Sequence, residues 1–580
     1  MVIHARNFVT SDDALGGSVI ERSLRFNRDD SAHLTYTPAS ASSDRTKITI
    51  SAWVKKCGIN EGEYSIFHGG TSSTNRAQLR FYTSSGFDNI SFFARTSGTF
   101  ILQLDTTAKF RDSSSWYHIV ARCDTTNGTA NIYVNGEELT DFTNSTKPSG
   151  SQAMEFFNNS EHQIGERGYD GSGTYFNGYM AEINVIQGQA LDASYFGFTD
   201  SQTGIWLPKR YEGTYGDGFY LDFSDNTSTT TLGIDKSPNG NDFTLNNFSV
   251  AAGDGNDSVT DTPTFTKATL NSITGWTNNA TLKNGNLQMT GSAGFKEIST
   301  IAVDGTSKFY YEVVNTSAAG WQLVGVFVGQ PNNPSNALSN TAVWGFASTQ
   351  ATYYGGSYTS TSDVPSWTNN DVMGIKYENG TLKLYKNGTL ATATTSSVPT
   401  NDIVFAYIAN DNTSAAAFVR FNADSWTQDS AAGVDDSWEL SIKNLPPNVP
   451  SIIRPQKFFE NLLYTGTDTS AARTIDDLEF APDLVWQKRR NGTNWQTWHD
   501  TVRGATKTLY SNSNSQEATN NQYGYISSFN KDGFTWSPGS TNNSDGNESS
   551  GTFVSWCWRA GGAAVSNSDG NITTTISANQ

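Results

Sequence analysis

Cysteine is nearly missing from these 580 residues: Cys57, Cys123 and Cys557 stand far apart. So sparse and odd a set gives no disulfide framework and no paired spacing for zinc, and the folding compartment is expected to be reducing. Charge is scarce too, at 16% of residues, and it tilts acidic to a formal net −18. Phosphate backbones and anionic membranes draw Lys and Arg patches, so neither nucleic acid nor membrane insertion is expected. No run nears the roughly 18 apolar residues of a membrane span. The opening MVIHARNFVTSDDALGG has no apolar signal core, so a role outside a cell would have the protein leave by lysis or as part of a particle. The six histidines, His4, His33, His68, His118, His162 and His499, are scattered. They form no His-Glu-x-x-His spacing, and there is no Cys-x-x-Cys, no Gly-x-Ser-x-Gly elbow and no Gly-x-x-x-x-Gly-Lys loop.

Glycine, serine, threonine and asparagine are abundant instead, and aromatics reach 12%, with 15 Trp and 24 Tyr. That is an all-β composition with many exposed turns. The stretch WYHIVARCDTTNGTANIYVNGEEL, from Trp116 to Leu139, shows the pattern best. Ile119, Ala121, Ile132 and Val134 recur with a period near two, and Asn135-Gly136 supplies the backbone freedom of a tight primed turn. Leu382, Leu384 and Tyr385 run into Asn387-Gly388 in the same way. Ile48, Ile50, Ala52 and Val54 mark one face of another strand, and His118 beside Trp116 reads as a partly buried packing residue.

The length allows roughly three to five domains. Residues 1–18 are polar and aperiodic and read as an arm for attachment to a partner. Residues 19–208 read as a first β-sandwich, and 209–263 as a packed extended connector, because Tyr220, Leu221, Phe223, Phe243, Leu245 and Phe248 need a surface to cover. Residues 264–445 read as a second sandwich, and the prolines at 446, 447, 450 and 455 mark a boundary. The segment 446–580 is set apart by Trp486, Trp495, Trp498, Trp536, Trp556 and Trp558. It stops at ITTTISANQ, which reads as a strand just beginning, so continuation beyond residue 580 or pairing of this tail with something else is expected.

Several phrases now carry a resemblance. SLRFNRDDSAHLTYTPASASSDRTKITISAWVKK, WYHIVARCDTTNGTANIYVNGEEL, IGERGYDGSGTYFNGYMAEINVIQGQALDASYFG and FYLDFSDNTSTTTLGIDKSPNGNDFTLNNFSVAAGDGNDSVTDTP, in that order, resemble the laminin-G-like, concanavalin-type lectin modules of tailed-phage structural proteins, over roughly residues 19–263. KFYYEVV, GVFVG, DVMGIKYENGTLKLYKNG and FVRFN resemble a SPRY-type domain of the kind that follows such modules in marine phages. FAPDLVWQKRR, TVRGATKTLYSNS, DGFTW and FVSWCWRAGG are similar to a domain of no established activity found in the same proteins. The resemblance implies tandem antiparallel jelly rolls in a virion component, with the N-terminal arm held by other virion proteins.

Laminin-G-like modules often hold calcium at the rim, which implies Asp29, Asp30, Asp170 and Glu182 as ligands of a possible Ca2+. This chain departs from the commoner wording, with Asn27 and Ala181-Glu182 where acids are frequent, so solvated loop acids are the other reading. Sugar recognition needs a ring face for the apolar side of a pyranose and amides or carboxylates for its hydroxyls. Tyr169, Asp170, Tyr175 and Asn177 in the first sandwich fit that need, as do Tyr353, Tyr354, Tyr358 and Trp367 in the second, unless each ring caps a sandwich edge.

The expected function is non-catalytic attachment: a virion fibre or adhesin that grips host surface glycan or protein. The alternatives are a capsid-attached fibre or decoration protein, and a glycan-degrading tailspike whose paired carboxylates, about 5 to 10 Å apart, come from distant residues. No short repeat of a parallel β-helix supports the last. Several copies are expected to associate, trimers being usual for fibres. No cofactor is required.

Overall fold

The computed structural model describes residues 18–168, 174–200, 204–272, 280–291, 295–317, 321–331, 341–410, 415–445, 458–467, 470–560, 565–567 and 574–576. The chain is all-β, built from antiparallel sheets. Its two α-helices among the described residues, Thr229–Leu232 and Asp429–Ala432, are four residues each, and among those residues no helix is long and apolar enough to cross a membrane. The arm at 1–17 lies outside the described residues. Contacts divide the chain into two compact units, Met1–Asn448 and Val449–Gln580.

The first unit holds two sandwiches, and in both the alternation read from sequence becomes the core. Ile48, Ile50, Ala52 and Val54 of the strand Lys47–Lys56 are at most 1% exposed and share one face of the sheet, and one core cluster, with Ile119, Ala121 and Ile132 of the neighbouring strands. Asn135-Gly136 takes φ 50° and 84°, Asn379-Gly380 takes 42° and 77°, and Asn387-Gly388 takes 49° and 79°. All three pairs have the double positive φ of a primed hairpin turn, which Asn-Gly supplies at least cost. His118 is a packing residue: it is 1% exposed, stacks on Trp53 at 4.7 Å and accepts the indole N–H of Trp206 at Nδ1, 2.9 Å away.

The first sandwich has two eight-stranded sheets. Residues 209–263, expected as a connector, supply strands to both. Phe219–Leu221 pairs with Gly178–Gln187, Thr244–Asn246 with His33–Tyr36, and Ser258–Val259 with Ser23–Phe26. The segment closes the sandwich rather than linking it onward, because Phe219, Leu221, Phe223 and Phe243 are all core residues. The second sandwich sets a seven-stranded sheet against a six-stranded one, and in the latter Val343–Ala347, Ala351–Tyr354 and Ser357–Ser360 form one edge.

The sandwiches interlock through buried polar groups. Lys55, 0% exposed, meets Asp261 at 2.7 Å, and Asp261 in turn accepts the backbone N–H of Lys267 from the second sandwich at 3.1 Å. Asn286 donates to the Cys57 carbonyl at 2.7 Å, and Tyr179 donates to the Gly285 carbonyl at 2.7 Å. Arg420 grips Asp254 with Nε and Nη2, at 2.5 and 3.0 Å, while its Nη1 reaches buried Glu312 at 3.0 Å. Buried charges persist only when paired in this way.

In the second unit a six-stranded sheet orders Phe459–Thr465, Thr552–Trp558, Leu484–Arg489, Thr497–Asp500, Lys507–Tyr510 and Ala518–Thr519. Strand alternation sends Leu462, Val485 and Cys557 inward onto Ile526, Phe534 and Trp536. Trp536 is wholly buried and donates its N–H to Asn543 at 2.8 Å. Trp486, Trp498, Trp556 and Trp558 take the other face. The register sets Trp556 opposite Trp486, and Trp486 opposite Trp498.

Candidate functional site

A cleft of about 470 Å³ opens beside one end of the first sandwich, lined by Tyr36, Pro38 to Ser43, Phe157, Asp217, Asn239 and Asn241. Tyr36 ends the strand His33–Tyr36, and its ring leans on core residue Phe243 at 5.3 Å. Its hydroxyl donates to Asn241 Oδ1 at 2.6 Å. Burial, with the nearby Asp235 and Asp217 carboxylates, raises the phenol above its ordinary range and keeps it a donor.

The turns around it are locked from behind. Buried Asp235 accepts the backbone N–H groups of Tyr220, Ser237 and Asn241, each at 2.8 Å. Asn239 Nδ2 donates to the Gly216 and Gly218 carbonyls, and Asn241 Nδ2 to those of Asp217 and Gly218. The amide hydrogens are spent on positioning, which ties the Pro-Asn-Gly-Asn turn to the Asp217-Gly218 turn and leaves the Asp217 carboxylate at the exposed rim. Opposite, Phe157 holds φ 56°, a left-handed conformation that costs a bulky side chain about 1 to 3 kcal/mol and gathers at functional positions. Its N–H donates to His162 Nε2 at 2.7 Å, and its carbonyl accepts from Ser42 at 2.8 Å. A half-buried phenol, serine hydroxyls and a carboxylate around one sugar-sized space match what a polyhydroxylated ring needs.

The residues expected from sequence fall elsewhere. Tyr169 and Asp170 lie outside the described residues. Tyr175 packs against His33 at 5.6 Å, and Asn177, 9% exposed, turns inward to Glu61 at 3.2 Å. Tyr353 and Tyr358 do come together, stacked at 5.3 Å on the edge hairpin, with Tyr354 exposed beside them. Trp367 leaves that group: it is 5% exposed in the core between the sheets and donates to Gln322 at 2.8 Å.

Asp29 is bound to Lys283 at 2.6 Å, and Asp30 accepts the Asn27 amide. Glu182, at φ 50° in a bulge of Gly178–Gln187, accepts the Tyr220 hydroxyl on both oxygens. Burial pushes its carboxyl up to about 7 against that hydrogen bond. Among the described residues no three His, Cys, Asp or Glu side chains gather where they could hold a metal. The cleft residues gave little sequence signal, since Tyr36, Asp217, Asn239 and Asn241 come from separate segments that read as ordinary turns. The facing Asp-Gly and Pro-Asn-Gly-Asn turns were the only hint.

Residues 28–194 match the Concanavalin A-like lectin/glucanases superfamily, and residues 454–580 match a domain of unknown function, DUF7483. No curated protein matches the chain. Among solved structures, the chain is 17% identical to a heptameric SAP-like pentraxin from Limulus polyphemus, covering 30% of this chain and 79% of that one at a TM-score of 0.23. It is 16% identical to the SPRY domain of human HERC1, covering 24% and 91% at 0.21. It is 16% identical to the enzymatically active domain of bacteriophage CBA120 tailspike protein 2, covering 34% and 28% at 0.24. At such TM-scores these likenesses carry no statement about function.

Proposed function

We propose that this protein is a non-catalytic attachment protein of a virion, and that its lectin-like sandwich holds a host glycan in the cleft beside Tyr36. The observation that carries the reading is the cleft itself, a sugar-sized space lined by phenol, serine hydroxyls and carboxylate in the sandwich whose residues 28–194 match a lectin superfamily. The phage attribution is supported by the ordered phrases of residues 19–263 quoted above.

Binding of the full chain to a glycan array, followed by calorimetry on the best ligand, tests this. Tyr36→Ala and Asp217→Ala should each weaken binding about ten-fold, the loss of one stacked ring or one charge-assisted hydrogen bond, while reducing ends stay constant on long incubation. Unchanged affinity in both variants refutes the cleft, and release of reducing ends refutes the non-catalytic reading.

A further inference from the structure

The tryptophans of the second unit pose a separate problem. Trp486 lies 4.8 Å from Trp556 and 5.8 Å from Trp498, and Phe459 lies 5.0 Å from Trp558. Trp498, Phe459 and Leu509 remain 36%, 40% and 38% exposed, and the other three rings are half-buried. At about 4.8 Å between strands, the row from Trp556 to Leu509 crosses about 14 Å of sheet. Contiguous apolar surface of this kind marks a binding face.

The indole donors say what covers it. Trp486 donates to Ser511 at 3.1 Å, whereas among the described residues the N–H groups of Trp498, Trp556 and Trp558 meet no acceptor. A second copy laid dry on this face would bury three unmatched donors, each costing about 1 to 3 kcal/mol, and chains of net charge −18 repel one another. Nucleic acid bases stack on such rings but need a cationic track, and of the cations at this face Lys507 and Arg503 are paired with Glu517 and Asp500, which leaves Lys488. A neutral ligand with flat C–H faces and hydroxyls at its edges suits rings and donors together.

We propose that this face is a second binding site, a flat platform for an extended, uncharged β-1,4-linked polysaccharide, independent of the cleft in the first unit. The full chain should sediment with microcrystalline cellulose or chitin. Trp498→Ala and Trp556→Ala should each weaken this about ten-fold, and Trp498→Tyr, which keeps a ring, by no more than about three-fold. Soluble cellohexaose or chitohexaose should shift the tryptophan fluorescence of the unmodified protein, a readout that needs no variant. Tyr36→Ala should leave sedimentation unchanged, which separates this site from the cleft. Failure to bind either polysaccharide, binding indifferent to ring removal, or a dimer that Trp498→Ala dissociates in ultracentrifugation overturns the proposal.

Discussion

Acid should unfold the first unit well before the second, and the reason is the uneven share of four buried imidazoles, three of them in the first unit. Burial, the leading cause in each case, holds His68 and His162 down to about 4 and His118 and His499 down to about 3. For two of them the hydrogen bonds fix the neutral form. The Trp206 indole N–H can only donate, so His118 Nδ1 must be unprotonated, and the Phe157 backbone N–H makes the same demand of His162 Nε2. With folded values below the unfolded 6.5, the unfolded chain takes up these protons first, so stability present above about pH 6.5 is lost as pH falls toward the folded values.

Two acids oppose the loss, since burial raises Glu182 to about 7 and Asp545 to about 6, and these carboxyls are protonated first in the folded state. In the first unit three imidazoles outweigh Glu182. The net uptake near pH 5.5 to 6.5 is about one and a half protons, or about 2 kcal/mol lost per pH unit. In the second unit His499 and Asp545 nearly cancel. Hydrogen exchange in stepped urea, read on peptides from Lys47–Lys56 and Leu484–Arg489, separates the two. His162→Gln should lower the stability of the first unit at neutral pH and remove about one proton from its slope. A first unit equally stable at pH 6.5 and 5.5, or a folded-state imidazole resonance titrating near 6.5 for His118 or His162, refutes the reasoning.

The two remaining predictions concern the interior of the first unit. Lys55→Met leaves Asp261 buried without its cation and should cost about 3 to 5 kcal/mol in urea unfolding, and adding Asp261→Leu should recover much of it. Trp367→Phe loses the bond to Gln322 and should cost about 1 to 2 kcal/mol with glycan binding unchanged, whereas weakened binding would place Trp367 at a ligand after all.

The strands were legible because a half-buried strand writes its pattern every second residue, and the turns because Asn-Gly meets double positive φ cheaply. Residues 209–263 misled because three short strands separated by Gly, Asp and Asn carry too few residues to show a period. Trp367 misled because it sits in a Ser- and Thr-rich stretch that reads as rim, and only packing of the two sheets sends its ring inward. The cleft was invisible because each of its turns is bland alone. What makes it a site is Asp235 drawing those turns together, and contacts of that kind have no spacing in the chain.

The locking of Asp254 and Asp261 to Arg420 and Lys55 bears on how such a molecule can change by recombination. A crossover that replaced the first sandwich through residue 261 with an unrelated one would take Asp254 from Arg420 and leave it Glu312 alone, and one ending between residues 55 and 254 would leave Asp261 without Lys55. Either product carries a buried charge that has lost a partner. The inheritable cassette is therefore the pair of sandwiches, and under the proposed function a change of ligand would have to come by substitutions at the cleft rim rather than by trading the lectin-like module alone.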